Sequence, residues 1–75
     1  MSRSKIRIHN QIRTLRFHHE EMTQQALADR IGVTRQTVNA IEGGKYSPSL
    51  EVAFRIAGVF SKPLEEVFQY HRDAE

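Results

Sequence analysis

The segment at residues 24–43 most constrains what this sequence can fold into, because its apolar residues follow a helical spacing that a glycine interrupts. Leu27 and Ile31 lie four residues apart and therefore share one face of a helix. Gly32 follows directly, where a helix commonly ends in a left-handed residue, a conformation that glycine adopts at little cost. The pattern therefore predicts a short helix that ends in a tight turn.

A second short helix is predicted directly after this turn. Thr34 offers a hydroxyl to the free amides of a helix N-terminus, and Val38 and Ile41 supply an apolar face toward the first helix. Ala28 carries only a methyl group, which lets the two helices cross closely. Helices of this length are not stable alone, so the rest of the chain must supply their packing surface.

The two predicted helices resemble the helix-turn-helix of the Xre family, the Cro- and phage-repressor-like regulators of bacteria. The residues that carry the resemblance are Leu15-Arg16, MTQQALADRIGVTRQTVNAIEGGKYSPSL at residues 22–50 and PLEEVF at residues 63–68. The resemblance runs from about residue 10 to about residue 70 and implies a sequence-specific, DNA-binding transcriptional regulator. Residues 17–21 depart from the family pattern, because this segment is one residue longer than usual and lacks the common glycine.

One all-α domain is expected, a compact five-helix bundle of the phage-repressor-like DNA-binding type. It spans residues 1–75, with the helix-turn-helix at 23–43 and terminal extensions at 1–9 and 69–75. The other helices are a first one after Asn10 with Ile12, Leu15 and Phe17 on its buried side, a fourth from Leu50 to Phe60 capped by Ser49, and a fifth that starts at Pro63.

The two terminal segments alternate apolar and polar residues, which is typical of β-strands. Residues 5–8 read KIRI and residues 68–71 read FQYH. Paired, they would form a small two-stranded antiparallel sheet that ties the ends of the domain together. The alternative is that both ends are frayed.

The composition suits a small intracellular binding module. The 75 residues include no cysteine, which excludes disulfides and cysteine-based zinc sites. No apolar run is long enough for a signal peptide or a membrane span, so we expect a soluble, cytoplasmic protein without membrane contact.

The charge is distributed unevenly along the chain. Residues 1–45 carry eight Lys/Arg against four Asp/Glu, whereas residues 46–75 carry three against five. This asymmetry predicts a positive face toward DNA phosphates, with ordinary surface scatter as the alternative.

The side of the second helix that faces away from Val38 and Ile41 is predicted to read base edges in the major groove of double-stranded DNA. The candidates are Gln36, Asn39 and Ala40, which point nearly opposite to the inward residues, and Thr34 and Arg35 near the start of the helix. Gln36 can bond bidentately to adenine and Arg35 to guanine, whereas methyl groups can contact a thymine methyl. The resemblance implies the same set, since the family reads bases from the first turns of this helix. The alternative is that Arg35 and Gln36 are ordinary solvated residues.

Contacts to the DNA backbone are expected from the rim of this surface. The candidates are Gln24, Thr37, Gly44, Lys45, Tyr46 and Ser47. Gln24 begins the first helix of the motif, where free amides and the helix dipole favour an anion. Gly43 and Gly44 would let the backbone approach the duplex, although a helix C-terminal turn explains the pair equally well. The resemblance also implies a partly buried structural ion pair between Arg16 and Glu42.

No catalytic or metal-binding arrangement is evident, and we predict no enzyme activity, metal, cofactor or small-molecule ligand. His18 and His19 are adjacent, so on a helix they point about 100° apart and cannot both bind one ion. His9 and His71 could approach only if the ends of the chain pair, and histidines in such positions are more often surface residues.

A dimer is expected, because a single helix-turn-helix reads only a few base pairs. Two half-sites would then lie about 34–36 Å apart, or a multiple of that distance. The candidate interface residues are Phe60, Leu64, Phe68 and Tyr70, with completion of the monomer's core as the alternative. We therefore predict a homodimeric repressor of a short inverted-repeat operator. The alternative is an antitoxin-type or other partner-dependent DNA-binding module that binds a cognate protein.

Overall fold

The computed structural model describes the backbone of residues 6–72 and the side chains of residues 8–70. Within these residues the elements are β1 (Ile6–Asn10), α1 (Ile12–His18), α2 (Gln24–Ile31), α3 (Arg35–Glu42), α4 (Leu50–Phe60), α5 (Leu64–Val67) and β2 (Phe68–Arg72). The predicted five-helix bundle with a small antiparallel sheet is confirmed. Lys5, the first residue of the predicted N-terminal strand, lies outside the described residues. No helix in the described part of the chain is long and apolar enough to cross a membrane.

Three helices begin at a hydroxyl-bearing residue that accepts a hydrogen bond from a free amide of the first turn. The caps are Thr23 for α2, Thr34 for α3 and Ser49 for α4. Their side-chain oxygens lie 3.0 to 3.1 Å from the amide nitrogens of Ala26, Thr37 and Val52. Such a cap stabilises a helix by about 1 kcal/mol, so these residues set where α2, α3 and α4 start.

The core lies where all five helices meet. Its buried apolar residues are Ile12, Met22, Leu27, Ala28, Ile31, Val38, Ile41, Ala53, Ile56, Ala57, Phe60 and Val67. The predicted inward residues of the two motif helices are all among them. Phe17 is a correction, because its side chain is 62% exposed. It lies five residues after Ile12, which rotates it away from the face that Ile12 buries.

Phe60 is a second correction, since it was expected in a dimer interface. Its side chain is only 7% exposed and packs in the core, with its ring centroid 5.7 Å from that of His19 in an edge-on contact. Leu64 and Phe68 are partly buried against the same core, whereas Tyr70 is 64% exposed. Phe60 is therefore part of the monomer's core, whereas Phe68 is partly buried and Tyr70 is exposed.

The turn between α1 and α2 takes an unusual course at the segment that departs from the family pattern. Glu20 has φ 57° and Glu21 has φ 54°, so two consecutive non-glycine residues are left-handed. This conformation costs roughly 1–2 kcal/mol of free energy for each residue other than glycine. The extra residue without a glycine is thus accommodated by local strain.

The sheet joins the helical bundle at the pair Asn10–Phe68, the pair nearest to α1 and α5. In the register, Asn10 is opposite Phe68 and Ile8 is opposite Tyr70. The Gln11 amide donates to the Val67 carbonyl at 2.9 Å, which joins the start of α1 to the end of α5. Because side chains alternate along a strand, these four paired residues share one face of the sheet. That face begins at the core and becomes exposed at Ile8 and Tyr70.

Candidate DNA-binding surface

The helix α3 has one buried side and one exposed polar side. Val38 and Ile41 are buried against the core. Arg35, Gln36 and Asn39 are exposed on the other side. The two predicted base-reading residues with methyl groups border them, with Ala40 half-buried and Thr34 exposed at the N-terminus of the helix. Gln36 and Asn39 therefore share the outward side of α3 with Ala40, whereas Arg35 and Thr34 lie at the start of the helix.

The side chains of Thr34 and Thr37 are hydrogen-bonded to each other at the start of α3. The Thr34 hydroxyl lies 3.0 Å from the Thr37 hydroxyl and accepts from the Thr37 amide at 3.1 Å. These contacts engage both side-chain oxygens in organising the first turn. Thr34 is exposed, and Thr37 is half-buried beside it.

A bidentate ion pair fixes the end of α3 against α1. Arg16 donates from Nε and Nη2 to the two carboxylate oxygens of Glu42, at 2.6 and 3.0 Å. The Arg16 side chain is 15% exposed and that of Glu42 is 9% exposed. Arg16 also donates from Nη1 to the Met22 carbonyl at 2.7 Å, just before α2. One guanidinium therefore connects α1, the entry to α2 and the end of α3.

The side chain of Gln24, one of the predicted contacts to the DNA backbone, is directed toward α3. Its Nε2 donates to Glu42 Oε1 and to Asn39 Oδ1, both at 3.2 Å. An amide nitrogen has two hydrogens, and both are used in this arrangement. An anion near Gln24 would therefore be bound by the free backbone amides at the N-terminus of α2.

The chain after α3 turns sharply next to the exposed face. Gly44 has φ 75°, and its amide and that of Lys45 donate to the Ile41 and Ala40 carbonyls at 3.1 and 2.9 Å. This pair of bonds is a glycine-dependent helix C-terminal turn. Gly43 has φ −80° and does not require glycine. Lys45, and with it Tyr46 and Ser47, is exposed, so the predicted phosphate-contacting segment lies at the rim of the surface.

A cleft of about 600 Å³ lies between α1, α3 and this turn. Its lining residues include Arg13, Gln24, Asn39, Ala40 and Lys45. Arg13 was not predicted as part of the surface. It lies three residues before Arg16 on α1, so the two side chains share one side of this helix. The pairing of Arg16 with Glu42 shows that this side faces the end of α3. The expected pairing of Arg16 with Glu42 was the signal that could have identified it.

A family model described as Helix-turn-helix matches residues 12–67, which is most of the chain. The chain belongs to the helix-turn-helix family. This agrees with the resemblance to Xre and Cro-like regulators carried by the motif residues.

Relatives of this helix-turn-helix protein occur in archaea and bacteria. It is 47% identical over 64 residues to an uncharacterized HTH-type transcriptional regulator of Methanocaldococcus jannaschii, which covers 85% of this chain and 96% of the relative. It is 52% identical over 46 residues to an uncharacterized HTH-type transcriptional regulator of Bacillus subtilis, and this alignment covers 61% of this chain and 70% of the relative.

A solved structure of a candidate DNA-binding protein from Bacteroides fragilis matches with a TM-score of 0.71 at 19% identity, over 83% of this chain and 98% of that one. This likeness shows the fold. The relatives bear names of transcriptional regulators rather than enzymes.

Asn10 is a second residue of this helix-turn-helix protein whose part in the surface was not predicted. Its Nδ2 lies 3.1 Å from the Ile41 carbonyl oxygen and 3.4 Å from that of Glu42, and its Oδ1 accepts from the Ile12 amide at 3.1 Å. Asn10 was expected only to precede α1. It also fastens the last turn of α3 to the junction of sheet and bundle, a contact across 31 positions that spacing alone does not reveal.

Proposed function

We propose that this helix-turn-helix protein is a DNA-binding transcriptional regulator, a homodimeric repressor that binds a short inverted-repeat operator through the major groove. The observation that carries the proposal is the division of α3 into two sides. Val38 and Ile41 anchor it to the core, while Gln36 and Asn39 project from the opposite side and Arg35 is exposed at its first turn. The major groove is wide enough to admit a helix that presents such a row of side chains.

The exposed side chains have donors and acceptors that match base edges. Arg35 can donate two hydrogen bonds to N7 and O6 of guanine, and Gln36 can bind adenine through one donor and one acceptor. Ala40 and the Thr34 methyl group can contact thymine methyls. Replacement of Arg35 or Gln36 by alanine should weaken specific binding by about 1–3 kcal/mol and relax the preference at one base pair.

Phosphate contacts would come from the residues around this face. Lys45 and Arg13 supply positive charge, and Ser47 and Tyr46 supply exposed hydroxyls. The free amides at the start of α2 add a further anion-binding position. These contacts carry no sequence information, so removing the Lys45 charge should weaken binding to all sequences alike. The slope of the logarithm of the binding constant against the logarithm of salt concentration should become shallower by roughly one.

The dimer in this proposal follows from the short length of DNA that one α3 can read. The surface we favour is the exposed end of the sheet face, Ile8 and Tyr70, with the partly buried Leu64 and Phe68 beside it. Two copies would place their α3 helices on half-sites about one helical turn apart, on the same side of the duplex.

Selection of bound duplexes from a random DNA library at about physiological salt tests the proposal. We expect an inverted repeat, and we expect Gln36→Ala to lose preference at one position in each half-site. Lys45→Ala is the matched control, which should keep the same motif at lower affinity. A folded protein that enriches no motif would contradict the proposal.

A partner-dependent module remains the second candidate, supported by one feature of α4. Leu50 and Phe54 lie four residues apart and are both largely exposed on the outer side of this helix. Such a pair suits contact with another protein. Co-purification of a small partner, together with operator binding that requires it, would favour an antitoxin-type function over an autonomous repressor.

A further inference from the structure

A chain of hydrogen bonds links the buried ion pair to the exposed face of α3. Arg16 holds the Glu42 carboxylate, which accepts from Gln24 Nε2, and the same nitrogen donates to Asn39 Oδ1. The Glu42 side chain is partly buried, whereas Asn39 is exposed among the base-reading residues. A scaffold interaction thus ends at a side chain that faces DNA.

The chemistry of this chain determines which way each amide points. A carboxylate paired with a guanidinium has lone pairs but no hydrogen, so the Gln24 group that faces Glu42 must be the NH₂ group. The second hydrogen of that group is directed at Asn39, which turns its oxygen toward Gln24 at 3.2 Å. The Asn39 amide nitrogen is then the end directed away from α2.

We propose that Gln24 is a positioning residue that makes Asn39 a donor toward DNA and so selects guanine at one position of each half-site. The inference rests on the proposed function, since it concerns bases read by α3. Guanine presents two adjacent acceptors, N7 and O6, in the major groove, which match the two hydrogens of an amide nitrogen.

The other bases fit this orientation less well. Adenine presents one acceptor and one donor, so bidentate binding would require its amino group to use the second lone pair of the Asn39 oxygen, beside the hydrogen bond from Gln24. Cytosine presents a donor, which opposes the amide hydrogens, and thymine presents a single acceptor. Rotation of the Asn39 amide to suit adenine would set its NH₂ against that of Gln24.

The arrangement is anchored where water is scarce. Glu42 and Arg16 are 9% and 15% exposed, and each has its charge matched by the other. A bound duplex would remove further water from Gln24 and Asn39, which strengthens hydrogen bonds between them. The orientation of Asn39 is therefore set before DNA arrives, and DNA contact favours its retention.

The test compares the motifs that the wild type and variants select from a random duplex library at about physiological salt. Asn39→Ala identifies the position that Asn39 reads, because the preference there is lost. In the wild type we expect guanine to be favoured over adenine at that position by about fivefold or more in affinity. Thermal unfolding of each variant checks that the fold is retained.

Gln24→Met is the decisive variant, since methionine keeps an unbranched side chain of similar length and removes both donors. Guanine and adenine should then bind within about twofold of each other at the Asn39 position, while the rest of the motif is kept. Gln25→Met is the matched control. Gln25 is the exposed neighbour on α2 whose amide bonds to Asp29, and its replacement should leave the motif unchanged.

Four results would overturn the inference. Adenine could be the base that Asn39 reads in the wild type, or Asn39→Ala could leave every preference intact. Gln24→Met could weaken binding to all sequences equally without changing any preference, which would make Gln24 a phosphate or scaffold contact. Failure of the folded wild type to select any motif would overturn the proposed function as well, and so is distinguishable from the first three.

Discussion

Two ion pairs of equal length should differ greatly in what they contribute to stability. Arg16–Glu42 and Arg55–Glu51 both have a shortest N–O distance of 2.6 Å. The Glu42 side chain is 9% exposed, but that of Glu51 is 73% exposed. Exposed pairs are worth about 0–1 kcal/mol, whereas removing one partner of a buried pair costs about 3–5 kcal/mol. Burial rather than distance should therefore decide the outcome.

The perturbation is Glu42→Gln, which keeps the size of the side chain and removes its charge. One oxygen becomes an NH₂ group facing the donors of Arg16 and Gln24, and the guanidinium loses its counter-charge. Because Arg16 retains the Met22 carbonyl at 2.7 Å and some solvent contact, we expect the lower end of the range, about 3 kcal/mol. For a domain of this size that corresponds to a melting temperature lower by about 12–24 °C.

Chemical denaturation of wild type, Glu42→Gln and the control Glu51→Gln measures this difference. We expect the control to lose less than about 1 kcal/mol. An equal loss in both variants would refute the reasoning, because burial would then have no influence. A loss below about 0.5 kcal/mol for Glu42→Gln would show that the pair is solvated in solution.

Three further changes test the local structure, each by denaturant unfolding. Glu21→Gly should stabilise the fold by about 0.5–1 kcal/mol, since glycine relieves the left-handed strain at φ 54° but loses more chain entropy, and a destabilised variant would contradict that conformation. Thr34→Ala should cost about 1 kcal/mol by removing the cap of α3, whereas Thr34→Ser should remain near wild type. Asn10→Ala should cost about 1–2 kcal/mol, and a neutral result would mean that water replaces its contacts to the end of α3.

The fold was largely predictable because its signals are local. The i, i+4 spacing of Leu27 and Ile31, the glycine that ends α2 and the hydroxyl before α3 each act within a few residues. The prediction for Phe17 was wrong because its angular position on α1, five residues after Ile12, turns a hydrophobic side chain toward solvent. The paired strands were predictable only as one of two alternatives, since a short alternating pattern at each end of the chain is compatible with frayed ends as well.

The exposed face of α3 was predictable for the same reason, as the complement of Val38 and Ile41 on a helical wheel. The contacts behind that face were not, because they join residues far apart in sequence. Asn10 contacts the carbonyl of Ile41, and Gln24 reaches Asn39 across the crossing of two helices. Periodicity specifies the side of a helix on which a residue lies but not its neighbour from another element.

Methylation interference on the selected operator tests the central claim most directly, since α3 should read major-groove edges as a dimer. Methylation of guanine N7 blocks the major-groove edge, whereas methylation of adenine N3 blocks the minor groove. We expect N7 methylation to abolish binding in two patches centred about one helical turn, roughly 34–36 Å, apart. Binding that tolerates N7 methylation, and is blocked instead by methylation of adenine N3, would contradict the account.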